Sequence, residues 1–415
     1  MNSFYNKFRH EIVAGGDVVD HANEPKDSRR ARLGGVVLLA LTVYLGFRNI
    51  WTLVFVLGLL ISVFLHEMGH FMTAKWTGMK VTQFYMGFGP RLWNTVHNGI
   101  EYGFRMLPLG AYVRIVGMNN LDDCDPADEA RSYRAQSYPK RMLVITAGSL
   151  MHLAIAVSLL FGVYAFAGRY AESGSVKVME APALQSPAQT AGVQVGDIVL
   201  SFDGVATRTR TDLVRAIVSH RSGDVVDVVV SRGDQRITLT ATLASNPADN
   251  SIAYFGVSSW SREYGKLNPF LAIRYGVSDS AIAAAQSVRG VFTILNPRNI
   301  VNSVTAPVAD PAKRPSTVVG ASQLGGEIGR QEGIKGILIL LAGVNVFIGI
   351  FNMFPLLPFD GGHAAIATYE RLRSRRDRVY RADVAKMVPV ATAVVALLVL
   401  LMFAGLYLDI TQPFG

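Results

Sequence analysis

The stretch LISVFLHEMGHFMTAK, residues 60–75, carries two histidines and a glutamate at the end of an apolar run. Ionisable side chains are costly within hydrocarbon, and where they occur they usually serve a function. His66 and His70 are four residues apart, so a helix presents both imidazoles on one face. Two neutral imidazoles at that spacing can share one zinc ion, with Glu67 beside them as general base. The stretch therefore predicts a catalytic zinc site on an apolar helix.

The composition is that of a membrane protein with a modest soluble module. Half of the 415 residues are hydrophobic, 17% are charged, and the mean hydropathy is +0.29. The single cysteine, Cys124, excludes an internal disulfide framework. The formal charge of +9 lies mostly beside apolar runs, which favours cytoplasmic membrane flanks over a nucleic-acid surface. Residues 1–30 are polar and mixed in charge, so we expect no cleavable signal peptide.

Apolar runs of about 20 residues predict spanning helices. We predict spans at 142–167, 335–363 and 387–408. The first apolar region, 33–74, is longer than one span needs and is interrupted only by Arg48 and Asn49. The chain is therefore predicted to be a polytopic α-helical membrane protein with about four core spans and an additional N-terminal span.

Basic residues concentrate in 1–32, 75–141 and 364–386. The positive-inside rule places all three in the cytoplasm, as an N-terminal extension, a long loop and a basic connection. If both flanks of 33–74 are cytoplasmic, this region crosses the membrane twice, as a helical hairpin that turns near Arg48. A single span with an outside amino terminus is the alternative.

Two further regions contain strand patterns. In 75–141, MKVTQFYMGFGPRLW and EYGFRMLPLGAYVRIVGM alternate apolar and polar residues and are punctuated by glycine, which predicts a membrane-associated β-hairpin. Residues 173–258 hold short β-type runs such as DIVLSF and DVVDVVVSR. Residues 259–334 mix an amphipathic stretch with a Pro-rich loop, which predicts a linker. Both 173–258 and 259–334 would lie outside the cytoplasm.

A catalytic zinc usually takes three protein ligands and keeps a fourth position open. The segment FNMFPLLPFDGGH, residues 351–363, offers Asp360 as the third ligand, because we expect it to close the third span at the depth of the histidines. The prolines and glycines around it are expected to break the helix and expose backbone to an extended substrate: Pro355, Pro358, Gly361 and Gly362. Asp360 could instead be only a polar helix terminus. His363 is another candidate ligand, although we expect a solvated end residue there.

These motifs, in this order, resemble the site-two protease family of intramembrane zinc metalloproteases. The resemblance extends over about residues 50–410 and rests on HEMGH, GFGP, PLGAYV, AGSLMHLA and the run from NMFP to DGG. The spacing and the single inserted domain are most similar to actinobacterial members. SPAQTAGVQVGDIVLSFDG resembles a bacterial PDZ domain, an α+β fold, over 173–258.

The resemblance implies one zinc ion per chain, held by His66, His70 and Asp360, with Glu67 as general base. It also implies a multi-pass protein of the cytoplasmic membrane, surrounded by the lipid bilayer, that cleaves single-span membrane proteins. Such substrates are anti-sigma factors or remnant signal peptides already shortened by a site-one protease. Asn352 matches a family asparagine that hydrogen-bonds substrate backbone. The PDZ domain, outside the cytoplasm, would act as a size filter and could accept a peptide by strand addition.

One position departs from the family pattern. The second core span of the family usually carries Gly-x-x-x-Asn, whereas this chain has Gly148 and His152. His152 could donate a hydrogen bond to the scissile carbonyl, act as a fourth metal contact, or pack between helices without a catalytic role. Residues 1–45 also lie outside the common pattern, and we assign them no activity.

Two other function classes are compatible with parts of this sequence. A non-catalytic membrane scaffold could capture peptides with its PDZ domain, but the metal ligands and the base would then be vestigial. Such a scaffold should contain no stoichiometric zinc. A metal transporter could also use intramembrane His and Asp. The peptide-binding domain and Glu67 argue against that class, and ion flux without proteolysis would support it.

Overall fold

The computed structural model describes residues 34, 36, 40, 42–118, 124–246, 249–305, 314–375 and 380–414. The chain forms two compact units. One comprises the chain before residue 164 together with the chain after residue 268, and the other comprises residues 164–268.

The α-helices that follow Asn49 are numbered in chain order within the described residues. They are α1 (Ile50–Trp76), α2 (Tyr138–Gly162), α3 (Pro187–Thr190), α4 (Arg210–Val218), α5 (Pro269–Ile294), α6 (Pro297–Thr305), α7 (Val318–Asn352), α8 (Asp360–Arg373) and α9 (Val388–Thr411). The strands are β1 (Val81–His97), β2 (Ile100–Ile115), β3 (Arg169–Val178), β4 (Ile198–Phe202), β5 (Val205–Ala206), β6 (Val225–Arg232), β7 (Gln235–Thr242), β8 (Ala244–Asn246), β9 (Asp249–Tyr254) and β10 (Ser259–Gly265).

Four helical segments of the described chain are long and apolar enough to cross a membrane. They are Ile50–Trp76, Tyr138–Ala167, Val318–Asn352 and Val384–Thr411. This confirms the expectation of about four core spans in an α-helical membrane protein. The face of the membrane on which each connection lies stays a prediction.

The helix of the HEMGH motif begins where the first apolar region was predicted to turn. Residues 42–48 are helical, but Asn49 is extended (φ −161°, ψ 107°), and its side chain accepts a hydrogen bond from the Trp51 backbone amide at 3.0 Å. Asn49 thus ends one helix and caps the next. The predicted extension 1–32 and most of 33–41 lie outside the described residues, so the additional N-terminal span stays a prediction.

Helix α7 is longer than the span predicted from residue 335. It begins at Val318 and bends at Gly333 (φ 64°, ψ −152°). Its first part falls in the region predicted to be a linker, and glycines at two positions there allow close packing on α1. Cβ atoms at Gly325 and Gly329 would lie 2.6 Å from Phe55 Cγ and 2.5 Å from Trp51 Cγ.

The segment around Asp360 also differs from the expectation. Asp360 does not close the third span, because α7 ends at Asn352 and Asp360 is the first residue of the separate helix α8. Gly361 and Gly362 do not break a helix. A Cβ on Gly361 would collide with the Met353 and Phe354 carbonyls, and one on Gly362 would lie 2.6 Å from the Leu357 nitrogen. Glycine is therefore required for the start of α8 to pack against the preceding loop.

The predicted β-hairpin is present and forms a broader sheet than two straight strands would. Residues 83–86 of β1 pair with 111–114 of β2 on one side and with 101–104 on the other, while 91–97 pair with 100–105. The two long strands are thus bent into four sheet positions, and residues 111–115 form one edge. Membrane association of this sheet stays a prediction.

The unit of residues 164–268 has its own sheet and core. The strand order is β10-β3-β4-β6-β7, with β5 paired to β4. Its core includes Val176, Phe202, Leu213 and Phe255. Asp197 is fully buried and accepts hydrogen bonds from Arg232 Nε and Nη2, both at 2.8 Å. The Arg232 guanidinium holds the pKa of the Asp197 carboxyl below its usual value, so this ion pair stabilises the unit at neutral pH.

Candidate functional site

Helices α1 and α8 bring three metal-ligating side chains together. His66 Nε2 and His70 Nε2 lie 3.2 Å apart, one turn apart on α1. Asp360 Oδ2, at the start of α8, lies 3.6 Å from His66 Nε2 and 3.3 Å from His70 Nε2. Both histidines are buried. The structure therefore brings together the three residues that the sequence predicted as ligands, from two distant parts of the chain.

The hydrogen bonds of this cluster leave acceptor atoms facing one another. His70 Nδ1 lies 2.7 Å from the Val144 carbonyl oxygen, which can only accept, so the proton of a neutral His70 lies on Nδ1. Its Nε2 then presents a lone pair to the cluster. Asp360 Oδ2 is buried without a hydrogen bond among the described residues. His70 Nε2 and Asp360 Oδ2 are therefore two acceptors 3.3 Å apart, an arrangement that is costly unless a cation binds between them.

Zinc fits this donor set. With bonds of about 2.0–2.2 Å to nitrogen and oxygen, the ligand atoms of a tetrahedral zinc ion lie roughly 3.3–3.6 Å apart. The three distances of 3.2, 3.3 and 3.6 Å match that separation. Two imidazoles and one carboxylate also form a three-ligand set that leaves one position open, as catalytic zinc sites do.

Glu67 lies beside the three converging atoms. Its Oε1 is 3.9 Å from His66 Nε2. The backbone of Val113, in the edge segment 111–115 of β2, lies close to the Glu67 carboxylate. Glu67 thus lies next to the three residues that would hold the metal, where it could exchange a proton with a water activated there.

Helix α2 passes directly over the two imidazoles. A Cβ at Gly148 would collide with His70 Nε2 and would lie 2.5 Å from His66 Cε1. A Cβ at Gly69, on the facing side, would lie 2.9 Å from the Ala147 carbonyl oxygen. Glycine at both positions lets α1 and α2 approach until the backbone of α2 forms a wall of the site.

Comparison with known proteins identifies the family. The model of peptidase family M50 matches residues 54–397. This chain belongs to peptidase family M50. The predicted resemblance to site-two proteases is thereby confirmed. The zinc metalloprotease Rip1 of Mycobacterium tuberculosis is 31% identical over 397 residues, which cover 86% of this chain and 96% of the relative.

Other relatives and solved structures are similar over larger or smaller parts. Rip1 of Mycolicibacterium smegmatis is 32% identical over 404 residues, covering 88% of this M50 peptidase and 98% of the relative. A putative zinc metalloprotease of Mesorhizobium japonicum is 30% identical over 331 residues, which cover 74% of this chain and 86% of the relative. The PDZ domain of an SdrC-like protein from Listeria monocytogenes is 22% identical over 21% of this chain and 87% of that domain, with a TM-score of 0.19.

His152 of this M50 peptidase lies against the metal cluster without belonging to it. Its side chain is buried, and its ring centroid is 4.8 Å from that of His66. The ligand atoms that lie within 4.8 Å of one another belong to His66, His70 and Asp360. Of the three roles considered for His152, the structure does not place it as a fourth metal contact.

His363 is buried, so the expectation of a solvated end residue was wrong. The physical reason is that α8 packs on the bundle. Ala364 and Ala367 lie in one core with Val144 of α2, and Arg141 Nη1 donates to Glu370 at 2.7 Å. His363 therefore faces protein.

The two predicted substrate-binding residues occupy the connection between α7 and α8. Asn352 is half-buried at the end of α7, and Pro355 is exposed in the following loop. Their position beside the start of α8 is compatible with substrate contact, and their role stays a prediction.

Two buried residues near the site were missed by the sequence reading, and a third, Gly148, was noted only as part of the Gly-x-x-x-Asn comparison. Asn345 and Ser62 form hydrogen bonds that lead to His152, and Gly148 makes room for the imidazoles. A signal existed for each of them. Asn345 is a polar residue within an apolar run, Ser62 precedes His66 by one turn, and Gly148 precedes His152 by one turn on the same helix.

Proposed function

We propose that this M50 peptidase is an intramembrane zinc endopeptidase that hydrolyses peptide bonds of single-span membrane proteins. The observation that carries the proposal is the convergence of His66, His70 and Asp360, next to Glu67, on and beside a helix able to cross a membrane. The zinc metalloprotease relatives support the same chemistry.

The residues of this site have separable roles. His66, His70 and Asp360 would hold one zinc ion, which supplies Lewis acidity that activates a water and polarises a peptide carbonyl. Glu67 accepts the proton of the attacking water and returns it to the leaving amine, as a general base and then a general acid. The nearby backbone of Val113 would help to orient the Glu67 carboxylate for this transfer.

The edge segment 111–115 is placed to bind the substrate backbone. It pairs with β1 on one side, and Val113 within it contacts Glu67. An unwound substrate could add to this edge as an extended strand, because the outer strand of a sheet can offer backbone donors and acceptors. Asn352 and the loop that contains Pro355 would contact the substrate backbone from α7.

The membrane arrangement and the substrate class belong to this proposal as well. Basic residues in 75–141 and 364–386 support a cytoplasmic location for these connections, in a multi-pass protein of the cytoplasmic membrane. The unit of residues 164–268 would then be an extracytoplasmic PDZ domain that excludes substrates with bulky outer domains. A site-one protease would first shorten the substrates, which are anti-sigma factors or remnant signal peptides.

A comparison of membrane proteomes tests the function. Cells that lack this protein should accumulate single-span membrane fragments with shortened extracytoplasmic parts, since the second cleavage fails. Reintroduction of the wild-type protein should clear the same fragments. Identical sets of single-span fragments in the two strains would contradict the proposed function.

A further inference from the structure

A buried chain of polar side chains connects three membrane-spanning helices next to the metal cluster. His152 of α2, Asn345 of α7 and Ser62 of α1 are 1%, 0% and 3% exposed. His152 Nδ1 lies 2.7 Å from Asn345 Oδ1, and Asn345 Nδ2 lies 3.0 Å from Ser62 Oγ. Polar groups at such positions in a membrane protein must satisfy one another.

Two backbone carbonyls near Ser62 and Asn345 determine which atom donates in each hydrogen bond of this network. Asn345 Nδ2 also lies 2.8 Å from the Leu341 carbonyl oxygen, which can only accept. Ser62 Oγ donates to the Gly58 carbonyl at 2.9 Å, so it accepts from Asn345. The amide nitrogen of Asn345 therefore faces these two oxygens, and its Oδ1 faces His152. Because Oδ1 can only accept, His152 Nδ1 must carry the proton.

A neutral imidazole protonated at Nδ1 has an unprotonated Nε2, which points away from Nδ1 and can only accept. We propose that Asn345 is a positioning residue that holds His152 in this tautomer, and that His152 serves the active site as a hydrogen-bond acceptor. This inference rests on the proposed peptidase function. It excludes hydrogen-bond donation by neutral His152 Nε2 to the scissile carbonyl, one of the roles considered from the sequence.

The group that His152 accepts from is a backbone N–H of the bound peptide. A substrate helix that unwinds in a membrane exposes N–H groups, and each of them needs an acceptor because little water is present. The ring of His152 stands 4.8 Å from that of His66, so this imidazole lies beside the metal cluster. Glu67 then remains free for proton transfer.

The tautomer can be read directly by solid-state NMR of the full-length, zinc-loaded protein with ¹⁵N-labelled histidine in lipid bilayers. The wild type should show a signal of a neutral histidine protonated at Nδ1 that disappears in His152→Gln. The His152→Gln spectrum is subtracted from that of the wild type because His70 is also protonated at Nδ1. In Asn345→Leu this signal should move toward the Nε2–H tautomer. An Nε2–H signal for His152 in the wild type, or an unchanged spectrum in Asn345→Leu, would overturn the inference.

Hydrolysis provides the second readout. Asn345→Leu should lower kcat/KM on a synthetic peptide with one apolar span by up to about 100-fold, because a displacement of about 1 Å at an active site can cost that much in rate, with one zinc ion per chain retained. Ser149→Ala is the matched control, because its buried hydroxyl lies on α2 outside this chain of hydrogen bonds. We expect it to leave kcat/KM and the histidine spectrum unchanged. The NMR readout needs no substrate, so failure of the tautomer and failure of the peptidase function are distinguishable.

Discussion

Replacing Glu67 by Gln is expected to lower the rate of peptide hydrolysis by about 10²- to 10⁴-fold, the usual contribution of a general base. Zinc should remain at one ion per chain. The amide keeps the size of the carboxylate but cannot take a proton from the attacking water. Because the substitution leaves the size of the side chain unchanged, the local fold should persist. Turnover of a synthetic single-span peptide and metal analysis of the purified protein measure both quantities.

The two measurements separate the base from the metal ligands. Loss of zinc in Glu67→Gln would assign Glu67 to the ligand set, where its 3.9 Å distance from His66 does not place it. Unchanged turnover with zinc bound would refute Glu67 as the base.

A second large effect is expected from Gly148→Ala. The added Cβ would collide with His70 Nε2 and approach His66 Cε1 to 2.5 Å, so either the imidazoles or α2 must move. A displacement of about 1 Å at a catalytic centre can cost about 100-fold in rate. We therefore expect a loss of turnover of at least this order, together with weaker zinc retention in competition with a chelator.

Gly162→Ala is the matched control for this substitution. Gly162 is the last residue of the same helix, and a Cβ there would meet no atom within 4 Å. We expect its turnover and zinc retention to equal those of the wild type. Equal zinc retention and turnover in Gly148→Ala would show that α2 does not lie over the imidazoles.

Much of the site could be predicted from sequence because its chemistry is local. His66, Glu67 and His70 follow from a helical spacing within an apolar run, and the structure places them as that spacing requires. Asp360 was predicted from its residue type and its assumed depth in the membrane. Asp360 does lie beside the two histidines, but the predicted local structure was wrong, because Asp360 begins α8 and does not end α7.

The misread features depend on packing between distant segments. Residues 318–334 were assigned to a linker, yet they form the first part of α7, where Gly325 and Gly329 allow contact with Phe55 and Trp51. His363 appeared solvated because its burial depends on α8 packing against α2. The His152–Asn345 pair joins residues of two helices, which no periodicity within one helix reveals.

The most direct test of the central claim is zinc X-ray absorption combined with metal analysis of the purified full-length protein. We predict one zinc ion per chain, with two imidazole nitrogens and otherwise oxygen ligands at about 2.0–2.2 Å, and loss of most of this zinc in Asp360→Ala. A wild-type protein without stoichiometric zinc, or an Asp360→Ala variant that keeps an unchanged zinc spectrum, would contradict the account.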